Sequence, residues 1–132
     1  MATNLGTVIT AMVTPFNDDL QLDLTQMAGL TDRLIDMGSD GLLVTGTTGE
    51  SPALNADEKI ALWETVIKRV QGRVPVMLGT GSNNTEQTIA LTKKAEEVGG
   101  DAVLLVTPYY NKPPQNALYE HFKAVAEATK LP

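Results

Sequence analysis

Residues 40–52 read DGLLVTGTTGESP, and they contain the clearest indication of the fold. Its first part, residues 41–45, is a short apolar run that does not alternate with polar residues, which is typical of a parallel strand buried on both faces. Its second part is a loop of glycines and hydroxyl side chains. Asn55 with Glu58 then gives a helix start signal, an N-cap residue followed by its N3 partner. The stretch therefore predicts a strand, a loop and a helix in that order.

The same unit recurs along the chain. Further apolar runs occupy residues 7–13, 74–78 and 102–107. The four runs are followed by amphipathic stretches at residues 24–37, 55–70, 85–98 and 116–129. Cap residues Asp23 and Asn84 mark two more helix starts, and Gly38, Gly72 and Gly99 mark helix ends. Strands joined by helices in this way run parallel, with right-handed crossovers.

Four such units predict an α/β fold with two possible arrangements. Residues 40–45 resemble residues 101–107, a repetition expected in a TIM barrel, the (β/α)8 fold. In that case residues 1–132 are the first four βα units, a half barrel forming a single domain without a linker. The other arrangement is a small open sheet of flavodoxin type. The pattern alone leaves both open.

Composition excludes several classes of function. The 132 residues carry a net charge of −6 and a pI near 4.6, which disfavours binding to nucleic-acid phosphates. The chain has no cysteine, so disulfides, thiolate nucleophiles and Cys-type zinc sites are excluded. No apolar run approaches the roughly 20 residues of a membrane helix. The N-terminus lacks the basic and apolar regions of a signal peptide, so a cytoplasmic protein is expected.

Candidate chemistry lies in the loops that follow the strands, because α/β proteins build their sites there. Residues 46–52 combine glycines with the hydroxyls of Thr47 and Thr48, which suits either a carboxylate cradle or an ordinary polar turn. The loop after the fourth run places Tyr109 and Tyr110 between prolines. They are either ligand and proton-relay groups or aromatic anchors of a subunit interface.

No lysine follows a strand in the buried setting that activates an amine for Schiff-base chemistry. Six lysines are predicted to lie solvated on helices or at helix ends: Lys59, Lys68, Lys93, Lys94, Lys123 and Lys130. Lys112 lies in the tyrosine loop, and the single histidine, His121, falls in a predicted helix. No group of His and carboxylate residues has metal-ligand spacing, so no metal site is expected.

Four segments together resemble the dihydrodipicolinate synthase family, whose wider membership includes N-acetylneuraminate lyase. They are GTTGES at residues 46–51, TPYYNKP at residues 107–113, and the segments at residues 6–16 and 75–84. The resemblance runs over essentially the whole chain, and the Thr-Thr pair with Pro-Tyr-Tyr-Asn favours the synthase over the lyase. It implies a (β/α)8 barrel that condenses pyruvate with L-aspartate-4-semialdehyde to 4-hydroxy-tetrahydrodipicolinate, a step of lysine and diaminopimelate biosynthesis.

The resemblance also implies a mechanism and site residues. A family lysine forms a Schiff base with pyruvate, so no external cofactor is needed, and the family enzyme is a homotetramer built as a dimer of dimers. Thr47 and Tyr110 match the proton relay, with Tyr110 inserted into the site by a neighbouring subunit. Thr48 matches the residue that binds the pyruvate carboxylate. Asn83 and Tyr109 match positions at the regulatory lysine site and the subunit contact.

The chain departs from the family pattern in two respects. In the family, the Schiff-base lysine, a further tyrosine and an arginine for the second substrate lie beyond residue 132, so this chain is expected to be inactive by itself. Ala56 and Gln87 stand where lysine-inhibited members carry His and Glu, which predicts little feedback inhibition.

A half barrel would leave sheet edges and one face of the core uncovered, which predicts self-association. Two alternative functions stay open. One is an N-acetylneuraminate lyase-type aldolase of the same family. The other is a non-catalytic, flavodoxin-like domain whose Thr-Thr-Gly-Glu loop binds a small anion.

Overall fold

The computed structural model describes residues 4–132. Its strands are β1 (Ile9–Ala11), β2 (Gly41–Val44), β3 (Val76–Gly79) and β4 (Ala102–Leu104). Its helices are α1 (Leu24–Asp36), α2 (Ala56–Val70), α3 (Thr85–Glu97) and α4 (Gln115–Ala126), and a short 3-10 helix, Ser51–Ala53, precedes α2. The predicted alternation is confirmed, with β1 and β4 shorter than the apolar runs. Residues 1–3, which carry part of the signal-peptide prediction, lie outside the described residues.

Local side-chain chemistry sets the helix boundaries. Asp23 and Asn84 each accept a hydrogen bond from the backbone N–H three residues later, at 2.8 and 2.9 Å. Asn55 and Glu58 form a reciprocal capping box, with hydrogen bonds of 2.9 and 2.8 Å. The three predicted helix-end glycines have φ between 73° and 98°, a conformation that glycine adopts without penalty. The predicted caps are therefore confirmed.

The strands form one parallel sheet in the order β1-β2-β3-β4. Right-handed crossovers between neighbouring strands place α1, α2 and α3 on the same face of the sheet, and α4 packs against α3. A flavodoxin-type sheet would place β1 between β2 and β3 and put helices on both faces, so that alternative is wrong. The observed order is the one that a (β/α)8 barrel requires, and the chain forms four of its βα units as an open half barrel.

The core fills the space between the sheet and the helices. Leu42 and Val44 of β2 pair in register with Val76 and Leu78 of β3, and all four side chains are buried. They belong to one apolar cluster with the fully buried Trp63 of α2. Within residues 4–132 no helix has the length and apolar character needed to cross a bilayer.

Helix α2 supplies much of the core. Leu62, Trp63 and Val66 are fully buried, and the half-buried Ile60 and Ile67 pack against the same apolar cluster. The helix packs against α1 and α3 as well as the sheet, so its buried face is wide. Lys59 lies on this face and is only 6% exposed. The prediction that the helical lysines are solvated is therefore wrong for Lys59.

The opposite face of the sheet is apolar and uncovered. Ile9, Val13, Leu104 and Val106 lie in or next to the strands, and they are 38%, 52%, 41% and 36% exposed. Along each strand they alternate with residues that face the helices. In a closed (β/α)8 barrel this face forms the packed interior. The uncovered face predicted for a half barrel is thus present.

Two aspartates tie strands together at their amino ends. Asp40, which precedes β2, accepts hydrogen bonds from the backbone N–H groups of Thr7 and Val8 at 3.0 and 2.9 Å. Asp101, which precedes β4, accepts one from the N–H of Val76 at 2.8 Å. Each carboxylate therefore binds the start of the preceding strand, which gives a physical reason for the internal sequence repeat.

Candidate active site

The loop after β2 is closed by turns of its own backbone. The N–H groups of Gly49 and Glu50 donate to the carbonyls of Gly46 and Thr47, both at 3.0 Å. Glu50 has φ of 58° and leads directly into the 3-10 helix. The backbone N–H groups of Thr47 and Thr48 donate to no acceptor within residues 4–132, and both side chains are exposed. Two N–H groups and two hydroxyls are thus available to a ligand.

Thr45 anchors the base of this loop in the core. The sequence pattern predicts it only as the last strand residue, but β2 ends at Val44 and Thr45 has φ of 56°, an outlier for a β-branched residue. Its buried hydroxyl accepts a hydrogen bond from Trp63 Nε1 at 2.8 Å and lies 3.0 Å from the carbonyl oxygen of Gly79. Residue 79 must be glycine, because a Cβ there would collide with the Thr45 carbonyl.

A cavity of about 260 Å³ opens at the carboxyl ends of β2, β3 and β4. Thr47 and Tyr109 both line it, so the structure brings these two predicted site residues together. Gly79 and Gly81 form part of its wall, and a Cβ on Gly81 would meet the backbone of Val106. This cavity lies where α/β barrels bind substrates.

Tyr110 does not line this cavity. Its side chain is 94% exposed, and its backbone has a positive φ of 70°. The turn is held by the N–H of Asn111, which donates to the carbonyl of Tyr109 at 2.9 Å. The amide of Asn83 donates to the same carbonyl at 3.3 Å. Thr47 and Tyr110, the two predicted relay residues, are therefore not brought together in this cavity by residues 4–132.

A second cavity of about 550 Å³ lies beside the first, between the start of α2 and α3. It is lined by Ala56, Asn83, Gln87 and Tyr109, the four positions that the family resemblance links to regulation. Tyr109 lines both cavities and separates them. Lys59 also lines the second cavity, although its charge predicts a solvated side chain. Its spacing from Leu62 and Trp63, three and four residues, was the available signal.

Residues 4–132 contain no cluster of three or more His, Cys, Asp or Glu side chains that could hold a metal ion. The ring of His121 is buried between helices, where Nδ1 lies 2.8 Å from the Thr85 hydroxyl. The ring also packs edge-on against Phe122. His121 therefore joins α3 to α4 and takes no part in either cavity.

Known proteins are similar to this chain in both sequence and three-dimensional structure. The dihydrodipicolinate synthetase family matches residues 4–132. The 4-hydroxy-tetrahydrodipicolinate synthase of Bacillus subtilis is 59% identical over 129 residues, which cover 98% of this chain and 44% of that protein. A dihydrodipicolinate synthase crystal structure from Bacillus anthracis has a TM-score of 0.94 at 56% identity, covering 97% of this chain and 44% of that one.

A further match is the chloride-inhibited dihydrodipicolinate synthase of Acinetobacter baumannii, solved in complex with pyruvate. Its TM-score is 0.94 at 42% identity, again over 97% of this chain and 44% of that one. The chain spans less than half the length of these relatives. With the family matched over nearly every residue, and with the strand order of a barrel, the chain belongs to the dihydrodipicolinate synthetase family.

Proposed function

We propose that this chain is the N-terminal half of a (β/α)8-barrel lyase that condenses pyruvate with L-aspartate-4-semialdehyde to 4-hydroxy-tetrahydrodipicolinate. The observation that carries the proposal is the cavity at the carboxyl edge of the sheet, lined by Thr47 and by glycines that leave room for a ligand. The names of the relatives support this substrate pair, and the pyruvate complex of one relative supports the first substrate. In this proposal residues 1–132 act as one unit in a cytoplasmic enzyme.

The loop after β2 would hold the pyruvate carboxylate. Thr48 supplies a hydroxyl, and Thr47 and Thr48 supply backbone N–H groups that have no acceptor within residues 4–132. Adjacent N–H groups in a turn form a concave donor set that suits a small anion. The carboxylate would be fixed there, with the ketone directed over the carboxyl ends of the strands.

Thr47 and Tyr110 would form the proton relay, each through its hydroxyl. Tyr110 is 94% exposed, so its hydroxyl serves a site only if another subunit packs over the tyrosine loop. This exposure supports a homo-oligomer in which neighbouring subunits exchange tyrosines, with a dimer of dimers as the proposed assembly. Such an exchange makes each site depend on the interface.

Pyruvate must be activated by an amine in this chemistry. A lysine amine condenses with the ketone and releases water, and loss of a C3 proton then gives the enamine that attacks the aldehyde carbon. The one buried lysine among residues 4–132, Lys59, lines the second cavity and not the one that holds Thr47. We therefore place the reactive lysine in the rest of the barrel, and the 132-residue chain is inactive alone.

Borohydride trapping with pyruvate tests this proposal. The 132-residue chain should keep its intact mass. The same residues joined to the part of the Bacillus subtilis relative that they do not cover should gain one reduced pyruvate adduct. In that fusion, Thr47→Val should lower kcat about 10²–10⁴-fold, and Thr48→Val should raise KM for pyruvate. Thr25→Val, at an exposed position of α1, is the matched control.

An adduct on the 132-residue chain itself would contradict the assignment of the reactive lysine. Cleavage of N-acetylneuraminate by the fusion, without synthase turnover, would favour the lyase-type alternative.

We also propose weak feedback inhibition by lysine. No Asp or Glu lines the second cavity, so the two ammonium groups of lysine would find no carboxylate there. Ala56 offers no hydrogen-bonding side chain, and Gln87 is neutral. Titration of L-lysine into the active fusion should leave the rate nearly unchanged, and strong inhibition at physiological lysine concentrations would contradict the proposal.

A further inference from the structure

The two central residues of a β-turn carry the ligand-facing groups of the loop after β2. The N–H of Gly49 donates to the carbonyl of Gly46 at 3.0 Å, so Thr47 and Thr48 are the second and third residues of that turn. Both threonines are exposed, whereas the two glycines at the base of the turn are buried. The positions of the Thr47 and Thr48 groups therefore depend on how the base of the turn is held.

A buried threonine from outside the loop holds the exit of this turn. Thr14, which follows β1, is 7% exposed, and its hydroxyl donates a hydrogen bond of 2.7 Å to the carbonyl of Gly49. Hydrogen bonding between β1 and β2 continues almost to this point, because the N–H of Met12 donates to the carbonyl of Leu43 at 2.9 Å. Thr14 therefore follows a strand end that is itself held in the sheet.

Gly49 has no room for a side chain beside Thr14. A Cβ on Gly49 would lie 3.0 Å from the Met12 carbonyl oxygen and 3.3 Å from Thr14 Oγ1. Both backbone groups of Gly49 are satisfied, the N–H by the Gly46 carbonyl and the carbonyl by the Thr14 hydroxyl. The entry of the loop is held separately, through Thr45. The exit of the turn therefore depends on a close contact between Gly49 and Thr14.

We propose that Thr14 is a positioning residue for the turn that holds the pyruvate carboxylate. Its hydroxyl fixes the Gly49 carbonyl, and Thr48 directly precedes Gly49. Thr47 lies nearer to the entry that Thr45 holds, so it depends less on Thr14. The inference rests on the proposed function of this loop. Removal of the Thr14 hydroxyl should therefore weaken pyruvate binding and change the relay step much less.

Amide hydrogen exchange in the 132-residue chain, followed by NMR, tests the hold on the turn without any turnover. Thr14→Val keeps the side-chain shape and removes the donor. Exchange of the Gly49 amide should become about two- to tenfold faster, the effect expected from the loss of one hydrogen bond. The amide of Leu78, in the buried strand β3, should keep its rate. Thr14→Ser retains a hydroxyl and should restore most of the protection of the Gly49 amide.

Thr31→Val is the matched control. Thr31 is also a buried threonine, and its hydroxyl donates to a backbone carbonyl, that of Met27 within α1, at 2.9 Å. Its loss removes a bond of the same kind away from the loop, so the Gly49 amide should keep its rate. In the fusion with the Bacillus subtilis relative, Thr14→Val should raise KM for pyruvate about two- to tenfold and change kcat less than about twofold. Thr31→Val should change neither constant.

The proposal is overturned if Thr14→Val leaves the exchange of the Gly49 amide unchanged, or if it accelerates the Leu78 amide equally, since the hydroxyl would then serve the whole fold. An equal acceleration by Thr31→Val would also overturn it. So would a fusion that loses kcat but keeps its KM for pyruvate, because a purely structural role lowers only the amount of active enzyme. A fusion without turnover contradicts the proposed function, and hydrogen exchange then decides the role of Thr14 by itself.

Discussion

Thr45 both redirects the backbone at the end of β2 and forms a hydrogen bond in the core. It leaves β2 with a positive φ, and its hydroxyl satisfies the indole N–H of the fully buried Trp63. A buried donor that loses its acceptor is more costly than the hydrogen bond itself. The loop that presents Thr47 is therefore attached to the core through the Thr45 hydroxyl, which contacts both Trp63 and the carbonyl of Gly79.

Thr45→Val keeps the side-chain shape and removes this contact. We expect the free energy of unfolding to fall by about 1–3 kcal/mol, measured by urea denaturation. In a Trp63→Phe background the indole donor is gone, so Thr45→Val should cost less. An equal cost in both backgrounds would show that the hydroxyl does not serve Trp63.

The burial of Lys59 should reduce the stability of the folded chain. A base whose folded-state pKa is lowered is harder to charge in the folded protein, so its cost is full below that pKa and disappears as pH rises to the unfolded value of 10.5. Lys59→Met should therefore stabilise the chain at neutral pH by on the order of 1 kcal/mol, the usual size of a single-substitution effect.

Thermal unfolding across pH measures this effect, with Lys93→Met as the control. The advantage of Lys59→Met should shrink as pH approaches 10.5. A pH-independent difference would assign the change to packing instead of charge.

At the level of elements, the two ends of the sheet differ in character. The amino ends are bound by Asp40 and Asp101 to the start of the preceding strand, which is a structural arrangement. The loops at the carboxyl ends contain residues in the left-handed backbone conformation, exposed hydroxyls, and glycines that leave space for a ligand. This division of stability and chemistry between opposite edges is the one expected of a (β/α)8 barrel.

Asp40→Asn tests the amino-end tie between β1 and β2. The N–H groups of Val8 and Thr7 hold the pKa of Asp40 below its usual 3.8. A depressed carboxylate pKa gives stability that is present above pH 3.8 and is lost as pH falls through the folded-state value. The variant should unfold at lower denaturant concentration at neutral pH and converge with the parent in acid. Asp36→Asn, at the exposed end of α1, is the control and should keep the parental pH profile.

The whole molecule is defined by its uncovered sheet face. Helices cover one face, while apolar side chains such as Ile9 and Val13 remain open to solvent on the other. Contiguous apolar surface next to unpaired strand edges favours association. The same face would become a packed interior if the remaining strands of a barrel closed over it.

We therefore expect the 132-residue chain to self-associate at micromolar concentration, as measured by light scattering. Val13→Lys combined with Leu104→Lys, which places charge on the uncovered face, should shift the chain toward monomer. Met37→Lys changes an equally apolar and 72% exposed residue elsewhere, and it should have no effect. A parent chain that stays monomeric would contradict the expectation.

Features that depend on neighbouring residues could be predicted from the amino-acid sequence. Each predicted cap lies within three residues of the N–H that it binds, so Asp23, Asn55 and Asn84 could be identified from spacing alone. The βα alternation and the family motifs are equally local. Hence the fold class and the loops that could hold chemistry were both predictable.

Features that depend on residues distant in the chain could not be predicted, because they arise from tertiary packing. The strand order distinguishes the half barrel from a flavodoxin-type sheet. It could not be read from the sequence pattern, because parallel strands that pair are far apart in the chain. Burial of Lys59, the left-handed turn at Thr45 and the meeting of Ala56, Asn83 and Gln87 in one cavity have the same origin. Each arises where separate elements pack together, and the periodicity within one segment does not predict contacts between segments.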